Sequence, residues 1–459
     1  MATVGGAIVV WLLIGPGFVN YDTLFNLGWG DDLRHGREPE LELPLAPTQK
    51  PLVIAAGTLL TPLGHASQSV VVVGALLAMG ALAVAVGALA AHFARWQAGL
   101  LAAGLVLTRE PILSFGVRAY IDIPYVALVL FALLLALRRA GHGKVLSLLA
   151  LAGLLRPEAW AFSLVYLLVA ARSDATARRP TLGALAVSAP VIWCMSDLLL
   201  TGSPLFSLTG TRANAAFLER ETGLLRAIEL APRRLGEIVR EPVLVGALGG
   251  AALLLNHDRA SGRQLIGAVA LALSAFGIFA TAGLPVLGRY LMLVASLLIV
   301  IAAIGVVRAI QLGRAGHPAW GAFAAVACVL LAMFAVPQVN RLDRLRSTLA
   351  TQRSIADDLH DLADSGALSR CGKIRLPNHR VRPMLAAWLD VPAQTIAAGG
   401  PPTGTALVPA TARVERLFIL DPRDRVSGAS ELPPDAVKIA GNASWAVYTR
   451  CVGSRTAMP

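Results

Sequence analysis

Long stretches without a single charged side chain constrain this sequence more than any other feature. Ser69 to Ala91, Leu265 to Leu284 and Trp320 to Val336 are such stretches. At ~1.5 Å rise per residue, about 20 helical residues cross a hydrocarbon core of roughly 30 Å. Composition agrees, with 56% of the 459 residues apolar and only 15% charged, which is not the make-up of a soluble domain. The net charge of +12 is scattered through loops and a polar tail. Such basic residues suit lipid head groups and phosphates, and a nucleic-acid partner is not expected. Met1 to Val19 lacks a basic lead and runs through Gly15-Pro16-Gly17 straight into polar sequence. It reads as a first span that stays rather than a cleaved leader.

Apolar runs and their polar breaks predict a mainly α, polytopic bundle of about eleven spans. Their centres fall near Val10, Ala81, Ala103, Val129, Leu149, Val165, Val187, Leu248, Leu271, Ile299 and Val329. Pro51 to Leu63 is too short to cross and is expected along the interface. With a cytoplasmic N-terminus, the inner loops 92–95, 138–144, 172–179, 256–263 and 308–317 carry eleven Lys and Arg in 37 residues. The opposite loops carry a similar number over more than twice the length, so basic density favours this orientation. It makes 20–50, 109–120, 201–241 and everything beyond about Asn340 extracytoplasmic. Val145 to Leu155 and Ala159 to Ala171 span only ~17 to 20 Å as helix and read as partial crossings around Arg156-Pro157-Glu158.

Residues 1–340 thus form a membrane domain with a first outer loop at 20–50, and 341–459 a small soluble α/β domain. In the latter, Asp343 to Ala367 reads as a charged amphipathic helix. Lys373 to Leu376, Arg416 to Leu420 and Trp445 to Arg450 read as strands. Cys194 and Cys328 fall in apolar spans; Cys371 and Cys451 bracket the tail without metal-ligand spacing. An oxidising compartment would let those two pair, for about 4 to 5 kcal/mol on a chain-entropy basis. Two unpaired thiols are the alternative.

Ionisable residues collect at the outer ends of these spans. Asp22 follows the first span, with Asp31 and Asp32 beyond it, then Gly36 and Lys50-Pro51. A carboxylate at the membrane boundary suits a general base, and a partly apolar setting is expected to raise its pKa; the bland reading is a solvated loop charge. Asp122 opens an apolar span, as a second functional acid or as a plain helix N-cap. Arg156 and Glu158 interrupt apolar sequence, as a structural pair or as cavity-facing groups. Arg289-Tyr290 stands at another outer span end, where an arginine snorkels or binds a lipid phosphate. Thr201 to Glu241, where Arg212, Arg220, Arg226, Arg233 and Arg234 stand among acids, is open to contact with an acidic acceptor or to plain surface helices.

Asp22, Gly36 and Lys50-Pro51 in this order resemble the first outer loop of GT-C membrane glycosyltransferases, in the branch of protein O-mannosyltransferases and lipid A aminoarabinose transferases. Asp122-Ile123-Pro124, Arg156-Pro157-Glu158 and Arg289-Tyr290 look like that family's recurrent acid, Arg-Pro-Glu and Arg-Tyr positions. The resemblance covers roughly residues 1–310. Alanine- and arginine-rich, lysine-poor usage points to a GC-rich bacterium.

The resemblance implies inverting transfer of a sugar from a polyprenyl-phosphate donor to a glycan, lipid or protein acceptor of the cell envelope, in the plasma (inner) membrane with its active site outside. It implies Asp22 and Asp122 as the catalytic acids, Asp22 as base and Asp122 orienting the first loop or the acceptor, and Lys50, Arg156, Arg289 and Tyr290 around the donor phosphate with Glu158 in support. The family often has Asp-Glu where this chain has Asp22-Thr23, and an aromatic where Asn26 stands. That keeps Asp31 and Asp32 as alternative acids. No cofactor is required by the sequence, and a divalent metal stays open. A lipid or solute transporter and a non-catalytic envelope scaffold are the rival readings.

Overall fold

The structure is a computed structural model that describes residues 1–369, 372–398, 404–419, 432 and 436–450. Cys371 and Cys451 lie outside the described residues, so their pairing is not addressed.

Each of the eleven apolar centres falls inside a helix. Ala66–Phe93, Pro180–Thr201, Arg259–Thr281 and Gly288–Arg314 are long and apolar enough to cross a membrane, as is Pro318–Asp364 taken through its turn at Phe334. Two further pairs qualify only together and are sharply bent: Trp96–Val106 with Glu110–Val117 by 68°, and Leu224–Val239 with Glu241–His257 by 108°. Ala2–Ile14, Asp122–Leu137 and His142–Leu155 are shorter. The chain is a multi-pass membrane protein, with five helices able to cross alone, or seven with the bent pairs, among the described residues.

Met292–Arg314 is the central pillar, buried along most of its length against Glu241–His257, Ala66–Phe93 and Trp96–Val106. Outward faces of the surrounding helices expose Leu199, Leu248, Ile278 and Val329. Such a girdle belongs against lipid rather than water. At one end of the bundle Arg308 donates to the carbonyl of Phe93 and pairs with Asp258 at 3.0 Å, and His142 bridges Tyr166 (2.8 Å) and Asp174 (2.9 Å). These contacts gather the basic loops at that end. The opposite end holds the residues singled out for chemistry.

Two segments differ from expectation, the first outer loop and Arg416 to Ile419, while Thr201 to Glu241 takes the helical form that was one of its two readings. The first outer loop contains a helix, Tyr21–Arg34, capped by Asn20, whose side-chain oxygen accepts from Thr23 N at 3.2 Å. It stops at Gly36, whose φ of +69° is left-handed backbone that glycine adopts without a steric penalty. Thr201 to Glu241 folds into two helices, Phe206–Phe217 and Leu224–Val239. The second buries Ala227, Ala231, Leu235 and Ile238 on one face and carries Arg226–Glu229 and Arg233–Glu237 pairs on the other. Of the strand expected over Arg416 to Leu420, Leu420 lies outside the described residues, and Arg416 to Ile419 is not a strand. Thr411 Oγ1 accepts from Val414 N, starting a short helix that widens into a helical turn over Glu415–Ile419.

The long helix Ala335–Asp364 leaves the membrane and packs on a mixed sheet built of β1 (Ile374–Leu376), β2 (Ala397–Ala398), β3 (Gly404–Pro409), β4 (Val437–Gly441) and β5 (Trp445–Arg450). The strand order is β2-β1-β3-β5-β4, with β1 parallel to its neighbours and the other pairings antiparallel. Trp445 is fully buried and donates its indole N–H to the Ile355 carbonyl at 2.8 Å. Val19, Leu24 and Ala119 from the membrane part share this core. The sheet unit is therefore welded to the segment that carries Asp22.

Candidate active site

Two helices hold the first residues of the site. Tyr21–Arg34 lies on Pro51–Leu60 at a distance only glycines allow: a Cβ on Gly30 would stand 2.2 Å from the Ile54 carbonyl, and one on Gly57 2.5 Å from that of Leu27. Asn26 ties the pair together at its working end, donating to the Asp22 carbonyl at 2.8 Å and accepting from the Lys50 backbone N–H. Asp22, in the first turn of one helix, and Lys50, just before the other, thus come to face one cavity of about 370 Å³.

Asp22, Lys50, Asp122, Arg156, Glu158, Arg289 and Tyr290 all line that cavity. Arg289 Nη1 donates to Asp22 Oδ2 at 2.8 Å, and the Asp22 side chain keeps 33% of its surface open toward the cavity. Burial works to raise the Asp22 carboxyl. Arg289 by charge and hydrogen bond, then Lys50 and Arg220 by charge, outweigh it and hold the group below its ordinary value. The raised pKa expected from an apolar setting is therefore reversed by this arginine. Burial and repulsion from Arg156 push the Lys50 ammonium down to about 8, against the pull of Asp22.

Behind this pair lies a buried triad. Arg156 donates to Asp122 and forks onto Glu158, its guanidinium 4.2 Å from the centroid of Tyr290. Asp122 is a partner of Arg156 rather than a helix cap: the residue before its helix is Ile121, and no side chain caps that end. With its N–H edges engaged by two carboxylates, Arg156 is the hub that holds Asp122 and Glu158. Tyr290 stands between the two arginines, 5.5 Å from Arg289. Lys50 Nζ lies 5.1 Å over the ring of Trp193, which meets Trp160 edge-on.

Among the described residues no group of three or more His, Cys, Asp or Glu side chains is arranged to hold a metal. The carboxylates that line the cavity are already engaged, Asp22 by Arg289, Asp122 and Glu158 by Arg156, and Asp197 by Gln49 and Ser207. Such a donor set does not fit a divalent cation.

Solved structures superpose on nearly the whole chain. ArnT from Cupriavidus metallidurans in the apo state aligns with a TM-score of 0.57 at 15% identity over 97% of this chain and 96% of its own. The same protein bound to undecaprenyl phosphate aligns with a TM-score of 0.56 at 13% identity over 97% of each. The fold is GT-C. The apo oligosaccharyltransferase of Archaeoglobus fulgidus follows at 0.51 and 12% identity, over 86% of this chain and 64% of that one. No protein-family model and no curated protein matches the sequence.

Within this GT-C fold, Asp31 and Asp32 do not reach the cavity. They sit at the far end of their helix, where Arg37 bonds both at 2.8 Å. Other residues on the cavity wall were not among those singled out from the sequence. Tyr21 donates to the Leu45 carbonyl at 2.9 Å. Asp197, an acid within an apolar helix and therefore detectable, accepts from Gln49, the Ser207 hydroxyl and the Ser207 N–H. His379 and Arg380 come from the sheet unit, His379 edge-on to Tyr21 with ring centroids 5.4 Å apart.

Proposed function

We propose that this protein is a polyprenyl-phosphate-sugar-dependent glycosyltransferase that acts on an acceptor of the cell envelope. The observation that carries the reading is the Asp22–Arg289 contact at the wall of a cavity that also presents Lys50, in a chain of GT-C fold. A lipid-linked donor is supported by the undecaprenyl phosphate complex of ArnT. Loop charge supports an orientation with the cavity and residues 341–459 outside and residues 1–340 as the membrane domain, in the inner membrane that the resemblance implies.

Asp22 is the general base. Its depressed pKa leaves it ionised at neutral pH, and Arg289 orients it toward the cavity. The acceptor hydroxyl gives its proton to Asp22 while its oxygen bonds to the anomeric carbon. On the opposite face the bond to the donor phosphate breaks, its electron pair stays on the phosphate oxygen, and the configuration inverts. Lys50 and Arg289 stabilise that developing charge. The Arg156 triad, with Tyr290 against it, keeps the rear wall rigid.

The test uses purified protein with a panel of polyprenyl-phosphate sugars. The correct donor raises the thermal midpoint by mass action. Asp22→Asn abolishes transfer while the donor-dependent rise stays at least as large, because Arg289 is freed for the phosphate. Full transfer by that variant would sink the assignment of the base.

A further inference from the structure

A second group of arginines lies away from the cavity, where the two bent helices meet. Arg109 precedes the helix Glu110–Val117 at one corner, and Arg240 precedes Glu241–His257 at the other. The corners touch, since Arg109 Nη1 donates to the Val239 carbonyl at 3.2 Å. The helix Ala335–Asp364 closes the third side. Its Gln338 donates to the Thr108 carbonyl at 2.6 Å, and its Arg341, like Arg240, is near enough to repel the charge of Arg109.

Arg109 is 7% exposed, yet all its hydrogen-bond acceptors are uncharged: the carbonyls of Leu105 and Val239 and the hydroxyl of Thr108. A buried guanidinium normally has a carboxylate against it, because its desolvation is otherwise uncompensated. Among the described residues Arg109, Arg240 and Arg341 make no ion pair. Arg341 Nη1 is buried with no hydrogen-bond partner. Glu110 lies in reach, but it faces Arg118 and Arg344 as well as Arg240 and Arg341. Glu241, in the first turn of its own helix, is exposed. Neither helix start is capped by a side chain, so backbone amides add to the positive field.

The depth of this corner is marked on the long helix. Val336 and Val339 expose 68% and 55% of their surface on its apolar stretch, and Arg341 follows two residues later, about 3 Å along the axis. That is head-group depth. None of the three arginines lines the donor cavity.

We propose that Arg109, Arg240 and Arg341 form a binding site for the phosphate of an anionic membrane lipid, which pins both helix corners to the exit of the long helix. The experiment places the full chain in nanodiscs of phosphatidylcholine alone or of equal parts phosphatidylcholine and phosphatidylglycerol and reads the thermal midpoint. The native protein melts higher with phosphatidylglycerol. The double variant Arg240→Gln, Arg341→Gln loses that gain and melts no lower than native in phosphatidylcholine alone, since mutual repulsion has been relieved. An equal gain in both proteins overturns the proposal. So does a lower midpoint of the variant in the neutral lipid, which would make these arginines structural partners of Glu110. Reproduction of the whole gain by inorganic phosphate in neutral discs assigns a soluble anion and overturns the lipid. If the double variant does not fold, Glu110→Gln is the alternative, with a larger phosphatidylglycerol gain expected and an unchanged or smaller one counting against the site.

Discussion

Lys50 is the residue whose chemistry is most exposed to pH. Its ammonium is held at about 8, far below an ordinary lysine, by burial and by Arg156. Its charge is complete below that value and is lost as pH rises through it. On the proposed mechanism kcat/KM for the donor falls above about pH 8, whereas kcat holds to higher pH because the bound phosphate stabilises the ammonium. Lys50→Arg removes the alkaline limb. Lys50→Met weakens donor binding roughly 10- to 100-fold at neutral pH, the worth of a charge-assisted hydrogen bond of ~1.5 to 3 kcal/mol. An unchanged limb in Lys50→Arg would detach this lysine from the phosphate. The residues that line the cavity were legible where an ionisable side chain bounds or interrupts an apolar run, as Asp22, Lys50, Arg156 and Arg289 do, because such groups are costly in lipid without a partner. Asn26 and Tyr21 were not legible: their importance lies in one carbonyl or one N–H supplied by a segment some twenty residues away. The depressed pKa of Asp22 was equally hidden, since its cause, Arg289, is 267 residues distant.

Apolar runs announced their helices well, because a continuous run in lipid has few ways to satisfy its backbone other than as helix. The first outer segment did not announce itself. Tyr21–Arg34 holds Gly28, Gly30 and paired aspartates, a poor helix former by propensity, and it is helical because it packs on Pro51–Leu60. Backbone proximity at Gly57 is what that packing requires. Gly57→Ala places a Cβ against the Leu27 carbonyl and forces the two helices apart, at about 1 to 3 kcal/mol of overpacking strain. A shift of that kind separates Asp22 from Lys50, and ~1 Å of misplacement can cost on the order of 10²-fold in rate. Transfer should therefore fall further than the thermal midpoint implies. Gly28→Ala, on the open side of the same helix with nothing within 4 Å, is the control: it should melt slightly higher and transfer sugar at the native rate. Equal behaviour of the two variants in a transfer assay would show that interhelical spacing does not govern the site.

At the scale of the molecule, the sheet unit reaches back over the membrane part. Its strands were only partly legible, since β1 and β2 are three and two residues long and take their order from pairing across the chain. Nothing in the local sequence placed His379 and Arg380 beside Tyr21. That contact follows from Arg382–Leu389 packing on Tyr21–Arg34, with Leu385 and Leu24 in one core. The cavity thus has a floor from the membrane helices and part of its wall from the tail. Deletion of residues 365–459 removes that wall and uncovers Leu24 and Val19, while every helix able to cross the membrane keeps its apolar stretch. The shortened chain should still insert, and it should lose transfer, because the segment holding Asp22 loses its packing on one side. A milder variant separates wall from support. Arg380→Ala leaves the shared core intact, so the thermal midpoint should stay native while the acceptor KM rises more than kcat falls. A native KM in Arg380→Ala together with an inactive truncation would mean that the tail acts only by holding Tyr21–Arg34 in place.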